Sequence, residues 1–193
     1  MASDYDTRTD ARSDVPPHPH AAPGGARHVE IIDVRHTTWW GSAAWAGVIA
    51  GVVFAVLQMT LTATLLGGSF WGPLQMIAAI LMGPDVLPAV ADMTLSIMVV
   101  GLLIHFGLSI IYGLIIGAIV HAMTLGPALL VGGLFGLIAQ YLLNFYVLAP
   151  ALFPWFVEAT HWVSWLNHVI FGLVAAGVYI TLRDRRVHRA PEM

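Results

Sequence analysis

Residues Asp92–His121 read DMTLSIMVVGLLIHFGLSIIYGLIIGAIVH. After the first residue the stretch carries no charged side chain and is almost wholly apolar. A run of this length predicts a membrane-spanning helix, because about 20 residues at ~1.5 Å rise cross a ~30 Å hydrocarbon core. His105 sits near its middle. A ring nitrogen at that depth needs a partner or a purpose.

Three further runs share this character. The pattern predicts spans over about 42–66, 93–120, 128–148 and 161–182, within a domain of residues 39–183. The class is all-α, a four-helix transmembrane bundle with neighbouring helices antiparallel. Between the first two spans lies a long loop, 67–91. Inside it Trp71–Gly72–Pro73 opens the apolar stretch LQMIAAILM, which stops at Gly83–Pro84. Proline suits a helix's first turn and Gly–Pro ends one. The resulting helix, 73–83, is too short to span, so it should lie at the interface or dip in and return. A tight turn over 121–127 joins the second and third spans. Pro150 and Pro154 should break the chain in a second loop, APALFPWFVEAT.

Composition agrees. Of 193 residues, 58% are hydrophobic and 10% charged, against about 25% charged in a soluble domain. With no cysteine, disulfides and thiolate sites are excluded. The first 38 residues are too polar for a signal peptide and should form a disordered tail. His18, His20 and His28 there read as parts of a solvated linker. All eight basic residues are arginines in the tails: Arg8, Arg12, Arg27, Arg35, Arg183, Arg185, Arg186 and Arg189. The positive-inside rule then places both termini, including the tail 184–193, in the cytoplasm. That predicts an even number of crossings and a bacterial inner-membrane location. Trp39, Trp40 and Trp45 mark the headgroup level. The arginines are accounted for by orientation, and no nucleic-acid partner is implied.

At about 100° per residue the helices present matching faces. Gly47, Gly51 and Gln58 share one on the first span. Gly101, His105, Ser109 and Tyr112 do so on the second, with Gly113 and Gly117 alongside. Gly132, Gly136 and Gln140 fall together on the third, with Asn144 at the edge. His161, Ser164, His168, Gly172 and Ala176 form a stripe on the fourth. Small residues four apart let helices approach where lipid offers no hydrophobic drive. The pairs Gly47/Gly51, Gly113/Gly117, Gly132/Gly136 and Gly172/Ala176 should form a packed waist toward the cytoplasm. Gln58, His105, Asn144 and His168 should lie roughly 9–16 Å below the outer helix ends, at ~1.5 Å per residue.

Three readings of this polar cluster stand open. Histidine, asparagine, glutamine, serine and tyrosine can hydrogen-bond one another as interhelical glue. His105 and His168 can supply both axial ligands of a haem b, with Gly101 and Gly172 leaving room for a flat ring. Against this, no Arg or Lys stands near to pair with propionates. Glu158, His161, Ser164 and His168 step inward along one helix and can relay protons in a small transporter or channel, although the inner half offers only glycine and aliphatics. No catalytic motif such as HExxH, GxSxG or a Walker loop is present. His161, Glu158 and Asp92 lie on one side and can in principle meet at a metal.

The second to fourth spans resemble the YagU-like family of small bacterial inner-membrane proteins. The matching pieces are His105–Ser109–Ile110, Gln140 and Asn144, Pro150 with Phe153–Pro154–Trp155, and His168 leading to Arg183–Asp184. The likeness covers roughly 95–186 and departs at Asn144, where the family carries histidine. It implies a four-helix inner-membrane protein without supplying a reaction. The role expected from the sequence is non-enzymatic: an accessory or structural subunit, or a self-associating protein. Its partners would be the bilayer and other membrane subunits, and its loops FWGPLQMIAAILM and ALFPWF could dock one.

Overall fold

The computed structural model describes residues 38–89 and 91–189. The N-terminal tail expected to be disordered, with His18, His20 and His28, lies outside the described residues. Among the described residues there is no strand. Four helices are long and apolar enough to cross a membrane. They are α1 (Trp40–Leu65), α3 (Leu95–Val120), α4 (Leu125–Leu152) and α5 (Trp162–Arg189). The short helix α2 (Gly72–Met82) stands between the first two.

Local signals set the helix ends. Gly67 and Gly83 adopt positive φ, which suits a residue without Cβ. Gly83 terminates α2, and Pro84 opens a 3₁₀ turn, Pro84–Val86. The Thr94 hydroxyl accepts from the Ile97 amide at 3.3 Å and caps α3. Three boundaries differ from expectation. Pro127 lies inside α4, within its first turn, where a missing N–H costs nothing. Pro150 does not break the chain, because helix continues to Leu152. The fourth helix also runs past the expected tail boundary to Arg189.

The reason for the second departure lies upstream. Gly136–Leu148 is wound as a π-helix, and the Ala149 amide donates to the Asn144 carbonyl five residues back. Proline ordinarily clashes with the carbonyl four residues before it. In the wider register those carbonyls pair one residue further on, which relieves the clash.

Glycine and alanine make the contacts between spans. A Cβ on Gly47 would strike the Ser109 carbonyl, and one on Gly51 would come 2.6 Å from the Ser109 hydroxyl. One on Gly113 would meet Gly47, and one on Gly117 would lie 2.6 Å from the Ala43 methyl. In the other half a Cβ on Gly132 would strike the Gly172 carbonyl and lie 2.6 Å from the Ala176 methyl; one on Gly136 would strike the His168 carbonyl. The small residues thus join α1 to α3 and α4 to α5. Helices α1 and α5 also pack on each other, giving the order α3–α1–α5–α4. Ala43, Ala46, Ala50, Ile116, Val120, Ala176 and Tyr179 form a closed core.

The beginning of α1 and the end of α5 meet at one end of the bundle. The Trp39 amide donates to the Tyr179 hydroxyl at 3.3 Å, and the Arg186 guanidinium stands 5.7 Å from the Trp39 ring centre. We call this the tail end; the opposite end carries α2 and the 3₁₀ turn Pro154–Ala159. Helix α2 is docked on the loop-end part of α3. Its Leu74 fills the space at Gly101, where a Cβ would lie 2.7 Å from the Leu74 carbonyl.

Candidate functional site

Above the glycine waist the spans separate and enclose a cavity of about 620 Å³ toward the loop end. Gln58, His105, Ser109, Tyr112, Gln140, Asn144, Ser164 and His168 all line it. Their hydrogen bonds divide into three groups. The Gln58 amide donates to the Ser164 hydroxyl at 3.4 Å and accepts from Asn167 Nδ2 at 3.0 Å. His105 Nε2 donates to the Gly51 carbonyl at 2.9 Å, while the Ser109 hydroxyl donates to the His105 carbonyl at 2.7 Å. Asn144 Nδ2 donates to the Tyr112 hydroxyl at 2.7 Å and to the Gln140 carbonyl at 2.9 Å. His168 Nδ1 donates to the Ser164 carbonyl at 2.7 Å.

Backbone carbonyls can only accept, so these contacts fix both tautomers. Neutral His105 keeps Nδ1 as a bare acceptor, and neutral His168 keeps Nε2. The π-helical turn arranges the wall opposite α3: Gln140, Asn144, Phe145, Leu148 and Ala149 all line the cavity. Rare π segments occur as inserts in α-helices and are frequent at functional sites.

Several residues at the site carry no signal that the helical-face reading picked up. Asn167 is 1% exposed and also donates to the Phe54 carbonyl at 3.0 Å. It lies three residues beyond Ser164, a spacing that shares its face. The Phe54 ring packs against both imidazoles, with centroids 5.7 Å from His105 and 4.9 Å from His168. At the loop end Pro73, Met76, Ile77 and Ile80 of α2 cover the cavity together with Phe153 and Phe156. The Trp155 indole N–H donates to the Met76 carbonyl at 3.2 Å and ties these two covers together. Gln75 anchors α2 through the Val86 and Ala91 carbonyls at 3.2 and 2.8 Å.

Besides its loop-end mouth, the cavity is open on one side. The tail-end half of α4 meets α3, whereas its π-helical half stands away from it. Asn144–Tyr112 bridges the gap. Leu108 of α3 and Leu148 and Leu152 of α4 line the cavity and are themselves exposed.

Glu158 and His161 stand at the loop-end mouth. His161 Nδ1 accepts from the Ser164 amide at 3.3 Å, at the start of α5. Burial lowers the His161 pKa below its ordinary 6.5. The folded state therefore holds fewer protons than the unfolded state at this position, so stability falls as pH drops through 6.5 and below. Protonation also removes the lone pair that holds the Ser164 amide. We expect melting temperature to fall from pH 7.5 to pH 5, with a shallower fall in His161→Asn, measured by thermal denaturation in detergent.

A haem does not fit these side chains. The space at Gly101 is filled by Leu74, and the space at Gly172 by the Gly132 backbone. Phe54 stands against both rings, and His105 Nε2 is engaged by Gly51. Among the described residues no three His, Asp or Glu side chains are grouped to hold a metal ion, so Asp92, Glu158 and His161 do not form such a set. Toward the tail end the polar stripe stops at side chains that are almost fully buried, among them Ile116 and Tyr179.

Fold and site together define a multi-pass helical membrane bundle with a cavity in one half of its thickness. Comparison with protein-family models, with curated proteins and with solved structures finds no match to this chain.

Proposed function

We propose that this is a bacterial inner-membrane protein that binds a lipid-soluble small molecule in its outer half, with both termini in the cytoplasm. The carrying observation is the cavity of about 620 Å³, apolar over most of its wall, polar at its floor and open sideways between α3 and α4. That volume lies within the roughly 300–1,000 Å³ typical of small-molecule sites. Arginines confined to the tails support the orientation. We also propose kinship with the YagU-like proteins, on the motifs quoted above.

A diazirine-tagged hexadecanol, photolysed with the purified protein in nanodiscs, tests the reading. Label is expected to saturate and to map to the segments 72–80, 104–112 and 140–152. Ala149→Trp, which fills the wall, should reduce labelling at least about five-fold, as expected when a preformed pocket is lost. Non-saturable labelling spread over lipid-facing Leu103 and Leu130 would overturn it.

An accessory role in a larger assembly is favoured by one feature. Leu81 near the end of α2 is 74% exposed, and Phe70 and Trp71 at its start are exposed as well. Co-purification of a defined complex, lost in Leu81→Glu, is the expected result for that reading.

A further inference from the structure

We infer that the ligand is a neutral lipid whose head group is a hydroxyl, seated on the cavity floor with its chain leaving between α3 and α4. This rests on the binding role proposed above and names the chemistry of its ligand.

Charge is the first constraint. Glu158 is the charged residue lining the cavity, and it stands exposed at the loop-end mouth. Among the described residues no arginine or lysine lines the cavity to hold an anion, and no carboxylate lies on the floor to hold a cation. A charged head there would pay full desolvation without a counter-ion.

Hydrogen-bonding capacity is the second. Many of the floor's donors are spent. The Asn144 amide hydrogens go to Tyr112 and to the Gln140 carbonyl, the Gln58 amide to Ser164, and the Ser109 hydroxyl to its own helix. What remains includes two acceptors, His105 Nδ1 and His168 Nε2, left bare by the tautomers that their carbonyl contacts fix. The Tyr112 hydroxyl accepts from Asn144 and keeps its own proton to give. A hydroxyl serves both kinds of partner, giving its proton to an imidazole nitrogen and accepting from tyrosine. An ether or ester oxygen can only accept, and would leave the imidazole nitrogens unsatisfied.

Shape is the third. The upper wall is aliphatic and aromatic, and Leu108, Leu148 and Leu152 carry that surface out to the lipid-facing side. A chain can therefore remain in the bilayer while its head occupies the floor, and the volume need hold only part of the molecule.

The test is competition against the saturable photolabel in nanodiscs by hexadecanol and by its methyl ether, which keeps the body and removes the donor. The alcohol should compete at least about ten-fold better, the scale expected where a site is built to bind an O–H. His168→Phe should weaken the alcohol several-fold and leave the ether unchanged. The wild-type comparison decides the matter even if a variant fails to fold. Dioleoylglycerol and a short polyprenol, offered in turn, distinguish a glyceride from an isoprenoid source; whichever competes should surpass its own methyl ether. Equal competition by alcohol and ether overturns the hydroxyl assignment and leaves the binding role standing. Saturable label displaced by none of these compounds overturns both.

Discussion

Replacing Gly172 with valine should destabilise the bundle by about 3 kcal/mol, the upper range for forcing bulk into a packed interior. The Gly172 backbone lies against Gly132, and an added Cβ would strike the Gly132 carbonyl. That atom belongs to a helix backbone and cannot swing aside as a side chain does. Accommodating valine requires α4 and α5 to separate, which removes the close contact that small residues provide in a membrane. The separation also moves Gly136 away from the His168 carbonyl, so the cavity floor loosens with the waist. Gly107→Val is the matched control: nothing lies within 4 Å of a Cβ there, and its effect should stay within about 0.5 kcal/mol. Unfolding in mixed micelles, followed by circular dichroism, measures both. Equal loss in the two variants would show that the contact carries no stability.

The second large effect is expected at Arg183. This residue is 4% exposed. Its Nη1 donates to the His121 carbonyl at 2.6 Å and to the Met123 carbonyl at 2.9 Å, while Nε and Nη2 reach Asp184 Oδ1 at 2.9 and 2.8 Å. The guanidinium thereby holds the turn between α3 and α4 against α5. Arg183→Met keeps the aliphatic stem but strands two carbonyls, and should cost about 3 kcal/mol, within the range for hydrogen bonds to a charged donor. Asp184→Asn should cost less than about 1 kcal/mol, because that carboxylate is 43% exposed. In the Arg183 variant, faster proteolysis at 121–124 reports release of the turn. Unchanged cleavage would remove the clamp.

Much of this architecture was legible in the residues. Four long apolar runs gave the spans, and Gly83–Pro84 gave the end of α2. Glycines four apart pointed to close packing, and the helical faces named polar residues that line one cavity. Other features left no trace. The π register of α4 has no compositional mark, since Gly136–Leu148 reads as an ordinary apolar helix; without it Pro150 looked like a break. The space at Gly101 looked available to a cofactor because the face of α3 was read without α2, whose Leu74 occupies it. Asn167 lay beside the histidine that drew attention. Helical phase places a residue on a face, but the neighbour that face meets is set by tertiary packing.

The clamp at Arg183 also bears on the order of assembly. The turn it grips, His121–Thr124, carries no lysine or arginine of its own. A ribosome delivers that hairpin before it delivers the cation that secures it. Until the last span emerges, α3 and α4 have no basic anchor between them. The turn between α3 and α4 therefore gains its clamp only after α5 has been synthesised.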